Sequence, residues 1–104
     1  MAQMIVIYKT PADKEAFDKH YFEVHIPLAK KLPGLKKYEV SKSPVISITG
    51  EKEIYLIGTL YFESLDAIKT AFASEEGRAC AADRKILVAD DDKIQMYLFD
   101  TVEV

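Results

Sequence analysis

Along this chain the spacing of apolar positions changes period several times, and each change marks an element. Residues 4–8 (Met-Ile-Val-Ile-Tyr) are an unbroken apolar run, largely β-branched and of strand length. Thr10-Pro11-Ala12-Asp13 then supplies a capping hydroxyl, a proline for the first helical position and a carboxylate for the third, which predicts a helix start. Phe17, Tyr21, Val24 and Leu28 recur at i, i+4, i+7 and i+11, one apolar helical stripe, and Leu32-Pro33-Gly34 ends it. Residues 35–40 alternate imperfectly as a strand, 41–44 bend it, 45–49 extend it, and Gly50-Glu51-Lys52 is the predicted turn. The longest strand follows at 53–62, with Ile54, Leu56, Gly58, Leu60 and Phe62 on one face and Tyr55, Ile57, Thr59 and Tyr61 on the other. Ser64 caps a helix carrying Leu65, Ile68, Ala71 and Phe72. Ser74 opens a further run over 75–88, with Ala79, Ala82, Asp83 and Ile86 along one side. Asp90-Asp91-Asp92 is a charged turn before a last strand at 94–99.

The order β-α-β-β-α-β predicts an α+β chain of ferredoxin-like type, a single domain over residues 1–104 in which a four-stranded antiparallel sheet carries its helices on one face. A monomeric sheet of this kind needs a polar outer face. Here 4–8, 55–61 and 94–99 are apolar or aromatic at both parities, so both faces are expected to be covered. Helices cover one. The expected cover for the other is a second copy of the sheet across a two-fold axis, a homodimer.

Composition narrows the function. With 104 residues, 49% apolar and 30% charged, the chain is an ordinary globule with one core. A formal charge of −3 argues against nucleic acid, and Lys30, Lys31, Lys36 and Lys37 read as a solvated face. The lone Cys80 allows no internal disulfide and fits a reducing compartment. No run reaches a membrane span, and the first residues enter a strand without a basic leader, so the expectation is cytoplasmic with no membrane partner.

Residues 17–38 hold both histidines and two of the four prolines. On an ideal helix His20 and His25, five apart, fall on opposite borders of the apolar stripe and share no face, which makes them poor partners for one metal. Pro27 disfavours helical geometry at Ile26, so the helix is expected to kink or restart just after His25, leaving that histidine beside a freed carbonyl at a pocket wall. His20 is expected to be more exposed or structural. A half-buried histidine bonded to backbone is the plainer alternative for His25.

Phe17, Tyr21 and Phe22, then His25 with Pro27 and Leu28, then Leu32-Pro33-Gly34-Leu35 and Tyr38, together with Asp83, resemble the EthD family of the dimeric α+β barrel superfamily, named from ethyl tert-butyl ether degradation. The specific part of the likeness is the aromatic-x-x-His-x-Pro-Leu and Leu-Pro-Gly-Leu-x-x-Tyr run. The resemblance implies a ferredoxin-like protomer, a homodimer and a small-molecule pocket between sheet and helices near His25. It also implies an association with oxidative catabolism, with a pathway partner of P450 type.

Asparagine and tryptophan, which similar cofactor-free oxygenases use, are absent; no ligand spacing suits a metal, and no glycine-rich loop suits a nucleotide. The expected cofactor is none. General acid/base work remains: His25 as the base, Tyr38 as a hydrogen-bond donor to developing charge and Asp83 orienting the imidazole, with Tyr21, Tyr61 and Phe22 binding substrate. Tyrosines on half-buried strands usually only pack, and Asp83 on a helix surface can simply pair. Two functions stay open: a binder of a small apolar molecule that serves an oxidative pathway, or an isomerase, cyclase or lyase acting on a lactone or carbonyl compound.

Overall fold

The computed structural model describes residues 1–50 and 53–104. Strand β1 (Ala2–Lys9) leads to helix α1 (Lys14–His20), a π-helical turn (Tyr21–His25) and a short α2 (Ile26–Ala29). Strands β2 (Lys37–Val40) and β3 (Ile54–Phe62), helices α3 (Leu65–Ala73) and α4 (Glu75–Leu87) and strand β4 (Ile94–Asp100) follow. All strand pairs are antiparallel in the order β2-β3-β1-β4, the ferredoxin-like arrangement expected from the element order. Register places Val6 opposite Gly58 and Met96, so Met4, Val6, Tyr8, Leu56, Gly58, Leu60 and Phe62 share the face beneath the helices. Tyr8, Tyr21, Phe62 and Ile68 are the largest fully buried side chains, and Phe17 stacks on Tyr21 while Tyr8 meets both rings edge-on.

Four local expectations are corrected. The cap of α1 is Asp13, whose carboxylate accepts from the Ala16 N–H at 3.0 Å, so Thr10-Pro11 lies outside the helix. The segment 45–49 forms no strand: pairing ends where Ser41 donates its N–H to Ile57 and accepts from the Ile57 N–H on its hydroxyl. The turn expected at Gly50-Glu51-Lys52 lies partly outside the described residues. Helix α2 ends at Ala29, before Leu32-Pro33-Gly34, which instead forms the turn into β2 with Gly34 at φ 79°. On α4 the buried face is Gly77, Cys80 and Asp83; Ala79 and Ala82 face solvent and Ile86 is 72% exposed. The reason is Gly77: a Cβ there would lie 2.3 Å from the Ala71 carbonyl oxygen and 2.5 Å from the Phe72 Cα, so α4 crosses α3 backbone to backbone and that contact fixes its rotation.

The main departure lies in the helix before Pro27. The expected stripe was Phe17, Tyr21, Val24 and Leu28, yet the buried residues are Phe17, Tyr21, His25 and Ala29, and Val24 is 42% exposed. Four-residue spacing drifts around an α-helix of 3.6 residues per turn but stays aligned where one turn is widened. The widening is direct: the Ile26 N–H reaches back five residues to the Tyr21 carbonyl, after which Lys30 returns to Ile26 in ordinary α register. Pro27 has no N–H to give and its ring would crowd the carbonyl four residues back, and the wide turn absorbs both problems without leaving helical dihedrals. The restart expected after His25 is therefore a change of register, with the chain helical throughout.

Candidate functional site

The wide turn puts His20 and His25 on one side of the helix, against the sequence expectation that they share no face. Asp83 on α4 meets both: His20 Nε2 donates to one carboxylate oxygen and His25 Nδ1 to the other, each at 2.9 Å. His25 is 5% and Asp83 7% exposed, while the His20 side chain retains 29%. Burial lowers the pKa of His25 below 6.5 despite the opposing pull of Asp83. Burial alone would raise Asp83, but the hydrogen bonds from His25 and His20 outweigh it and hold the carboxyl below its usual range. The state these shifts favour is a carboxylate bonded to a neutral His25 that carries its proton on Nδ1. His25 Nε2 has no protein partner among the described residues, and no buried side-chain nitrogen or oxygen there lacks one, so this nitrogen opens into the space His25 borders.

That space is a cavity of about 330 Å³ between sheet and helices. It is lined by Met4, Val6, Tyr8 and Leu60 of the sheet with Met96 and Leu98 of β4, by His25 and Tyr38, and by residues of α3 and α4. Tyr38 on β2 pairs with Tyr21 at 2.6 Å between hydroxyls. Tyr21 is fully buried and its phenol is pushed far above its usual range, first by burial; burial raises Tyr38 to about 12, with the Tyr21 hydrogen bond opposing. With Tyr21 donating, the Tyr38 O–H is free to point at a ligand. Gly58 gives the pair its room: a Cβ there would stand 3.1 Å from the Tyr21 hydroxyl and 3.6 Å from Tyr38.

The structure thus brings His25, Tyr38 and Asp83 into one assembly, with Tyr21 behind it. It does not bring Tyr61 or Phe22 there. Tyr61 has odd parity on β3, points to the opposite face of the sheet and donates to Glu39 at 2.8 Å. Phe22 is 49% exposed, on the far side of the helix, and borders a separate polar cleft with Tyr55 and Ser41. Cys80 lines the cavity, but burial pushes its thiol up to about 11, so it is a protonated wall residue. Sequence reasoning missed Lys69 and Arg84 in the lining; both sit at spacings of three or four from apolar lining residues, Phe72 and Ala81, which was the available signal. Among the described residues no group of three or more His, Cys, Asp or Glu could hold a metal ion, and no helix is long and apolar enough to cross a membrane.

Residues 9–91 match the sequence model of the EthD domain. The chain belongs to the EthD family. It is 39% identical over 84 residues to an uncharacterized 11.0 kDa protein from the thcB-thcC intergenic region of Rhodococcus erythropolis, covering 80% of each chain. An ethyl tert-butyl ether degradation (EthD) family protein from Bacillus halodurans is 31% identical, superimposes with a TM-score of 0.87 and is matched over 98% of this chain and 99% of its own. The fold extends to a dimeric ferredoxin-like protein of unknown function from Bacteroides fragilis, 21% identical with a TM-score of 0.65 over 96% of this chain and 95% of that one.

Proposed function

We propose that this EthD-family protein binds a small, largely apolar carbonyl compound in the cavity, where His25 acts as general acid and base without a cofactor. The observation that carries this is the free Nε2 of a neutral, buried imidazole, oriented through Nδ1 by an ionised carboxylate and facing apolar walls. His25 Nε2 removes a proton from the carbon next to the carbonyl, and the C–H electron pair moves into the new C=C bond. The carbonyl π pair moves to oxygen, where the Tyr38 O–H donates to the enolate. Returning the proton from His25 at a conjugated carbon completes an isomerisation. Tyr38 therefore stabilises charge and Asp83 positions the base.

The acting unit is a homodimer in this reading. Ile5, Ile7, Ile57, Tyr97 and Phe99 lie on the sheet face away from the helices, with Ile7 opposite Ile57 and Ile5 opposite Tyr97, and the dimeric relative of the same fold supports a second sheet as their cover. A second function, a binding accessory of an oxidative pathway with a P450-type partner, is supported by the Bacillus halodurans relative, whose family is named for ethyl tert-butyl ether degradation.

Screening unsaturated lactones and β-dicarbonyl compounds for conversion by the protein alone separates the two. Turnover that falls by about two to four orders of magnitude in His25→Ala, with the oligomer intact, is the expected result. Binding that perturbs His25 without conversion of any compound would leave the accessory function standing in its place.

A further inference from the structure

The ionised residues on the cavity wall are of one sign. Lys69 on α3 and Arg84 on α4 line it, and no aspartate or glutamate does, although the chain as a whole carries 17 acidic against 14 basic residues. Lys69 makes no ion pair or hydrogen bond among the described residues. Arg84 gives one N–H to Asp91 at 3.2 Å and keeps the rest of its five donors. Its side chain is only 19% exposed while that of Asp91 is 89% exposed, so the guanidinium lies inward of its partner. Its charge reaches both His25 and Tyr8: burial is the main cause of the lowered pKa of His25 and Arg84 adds a small part, while on Tyr8 it opposes the rise that burial causes. A cavity for a neutral hydrocarbon needs neither cation, and among the described residues the exposed Asp91 is the one carboxylate in ion-pair distance of the partly desolvated guanidinium, which leaves it donors for a second anion.

We infer that the ligand is an apolar carboxylate: a compound whose hydrocarbon body fills the cavity, whose carboxylate lies between Lys69 and Arg84, and whose reacting carbon reaches His25. This deepens the cavity reading above and rests on it. The walls set the class. Met4, Val6, Leu60, Ile68 and Phe72 accept hydrocarbon, and the two cations accept a single anionic head.

The test uses matched probes, 4-phenylbutyrate and 4-phenylbutyramide, which differ in charge at nearly constant shape, with affinities read from the ring signals of His25 and Tyr38 by NMR. The acid is expected to bind about tenfold more tightly than the amide at low salt, with the gap narrowing in high salt. Lys69→Glu, at an exposed position where the fold has nothing to lose, is expected to abolish or invert that preference while amide binding persists; Arg84→Gln is expected to reduce it. Equal affinity of acid and amide, or a preference untouched by Lys69→Glu, overturns the anion site and leaves the cavity reading in place. If neither probe moves the His25 or Tyr38 signals at any concentration, the cavity reading itself falls, and this inference with it.

Discussion

Asp83 accepts from two imidazoles at once, and that is a demand an amide cannot meet. Asp83→Asn offers one acceptor oxygen and two N–H donors to rings that both donate, so one histidine must move its proton to the other nitrogen. If His25 is the one that changes, Nε2 carries the proton and the acceptor nitrogen facing the cavity is lost. Long-range nitrogen NMR of the histidine rings reports this directly: the native protein should show His25 protonated at Nδ1, and the variant a shifted tautomer population. A native His25 protonated at Nε2 would sink the assignment of its free nitrogen. The same residues set an acid limit on stability. His25 holds its proton less tightly in the folded chain, so below about 6.5 the unfolded chain binds more protons and stability falls as the pH drops through that window. Asp83, depressed below 3.8, withdraws its contribution only as the pH falls further. In His25→Gln the first decline in melting temperature, which begins as the pH drops below about 6.5, should shrink and the second should remain. Identical profiles for the two proteins would show that His25 is not the group responsible.

At the scale of elements, two local features place the site. The π turn brings His20 and His25 to one carboxylate, and the close crossing of α3 and α4 at Gly77 brings that carboxylate, with Arg84, over the sheet. Gly77→Ala drives a methyl into backbone that cannot rotate aside. It should destabilise the protein by about 1–3 kcal/mol, the usual cost of overpacking, read as a lower urea midpoint at unchanged slope. A neutral effect would mean that the helices separate freely. Because the same shift would carry Asp83 away from both rings, the His25 tautomer should be disturbed as well.

At the scale of the whole molecule, the proposed homodimer rests on the outer face of the sheet. Ile57 and Tyr97 sit on that face, on the side of the sheet away from the helices by strand parity, and Tyr97 is 52% exposed in the single chain. Sedimentation equilibrium should give twice the 11.8 kDa of the chain. Ile57→Asp should dissociate or precipitate the protein, since an uncompensated charge buried between sheets costs about 3–5 kcal/mol. Soluble native protein at 11.8 kDa across micromolar concentrations would show that the face needs no cover.

Period and punctuation in the sequence were enough for the element order, the parity of β3 and the antiparallel ferredoxin-like sheet, because strand alternation and the serine caps at Ser64 and Ser74 act over a few residues. The aromatic and proline-histidine run likewise pointed to the EthD family. What sequence could not determine was rotation. Whether Val24 or His25 faces the core depends on one hydrogen bond shifting from four residues to five, and whether Ile86 or Cys80 does depends on how closely α4 crosses α3. Both depend on packing against residues far along the chain, as does the joining of His20 to Asp83 across 63 positions, whereas the separation of Tyr61 from the face that Leu60 lines is strand parity and was legible in the sequence. A helical wheel assumes 3.6 residues per turn; the tertiary fold set the turn that mattered.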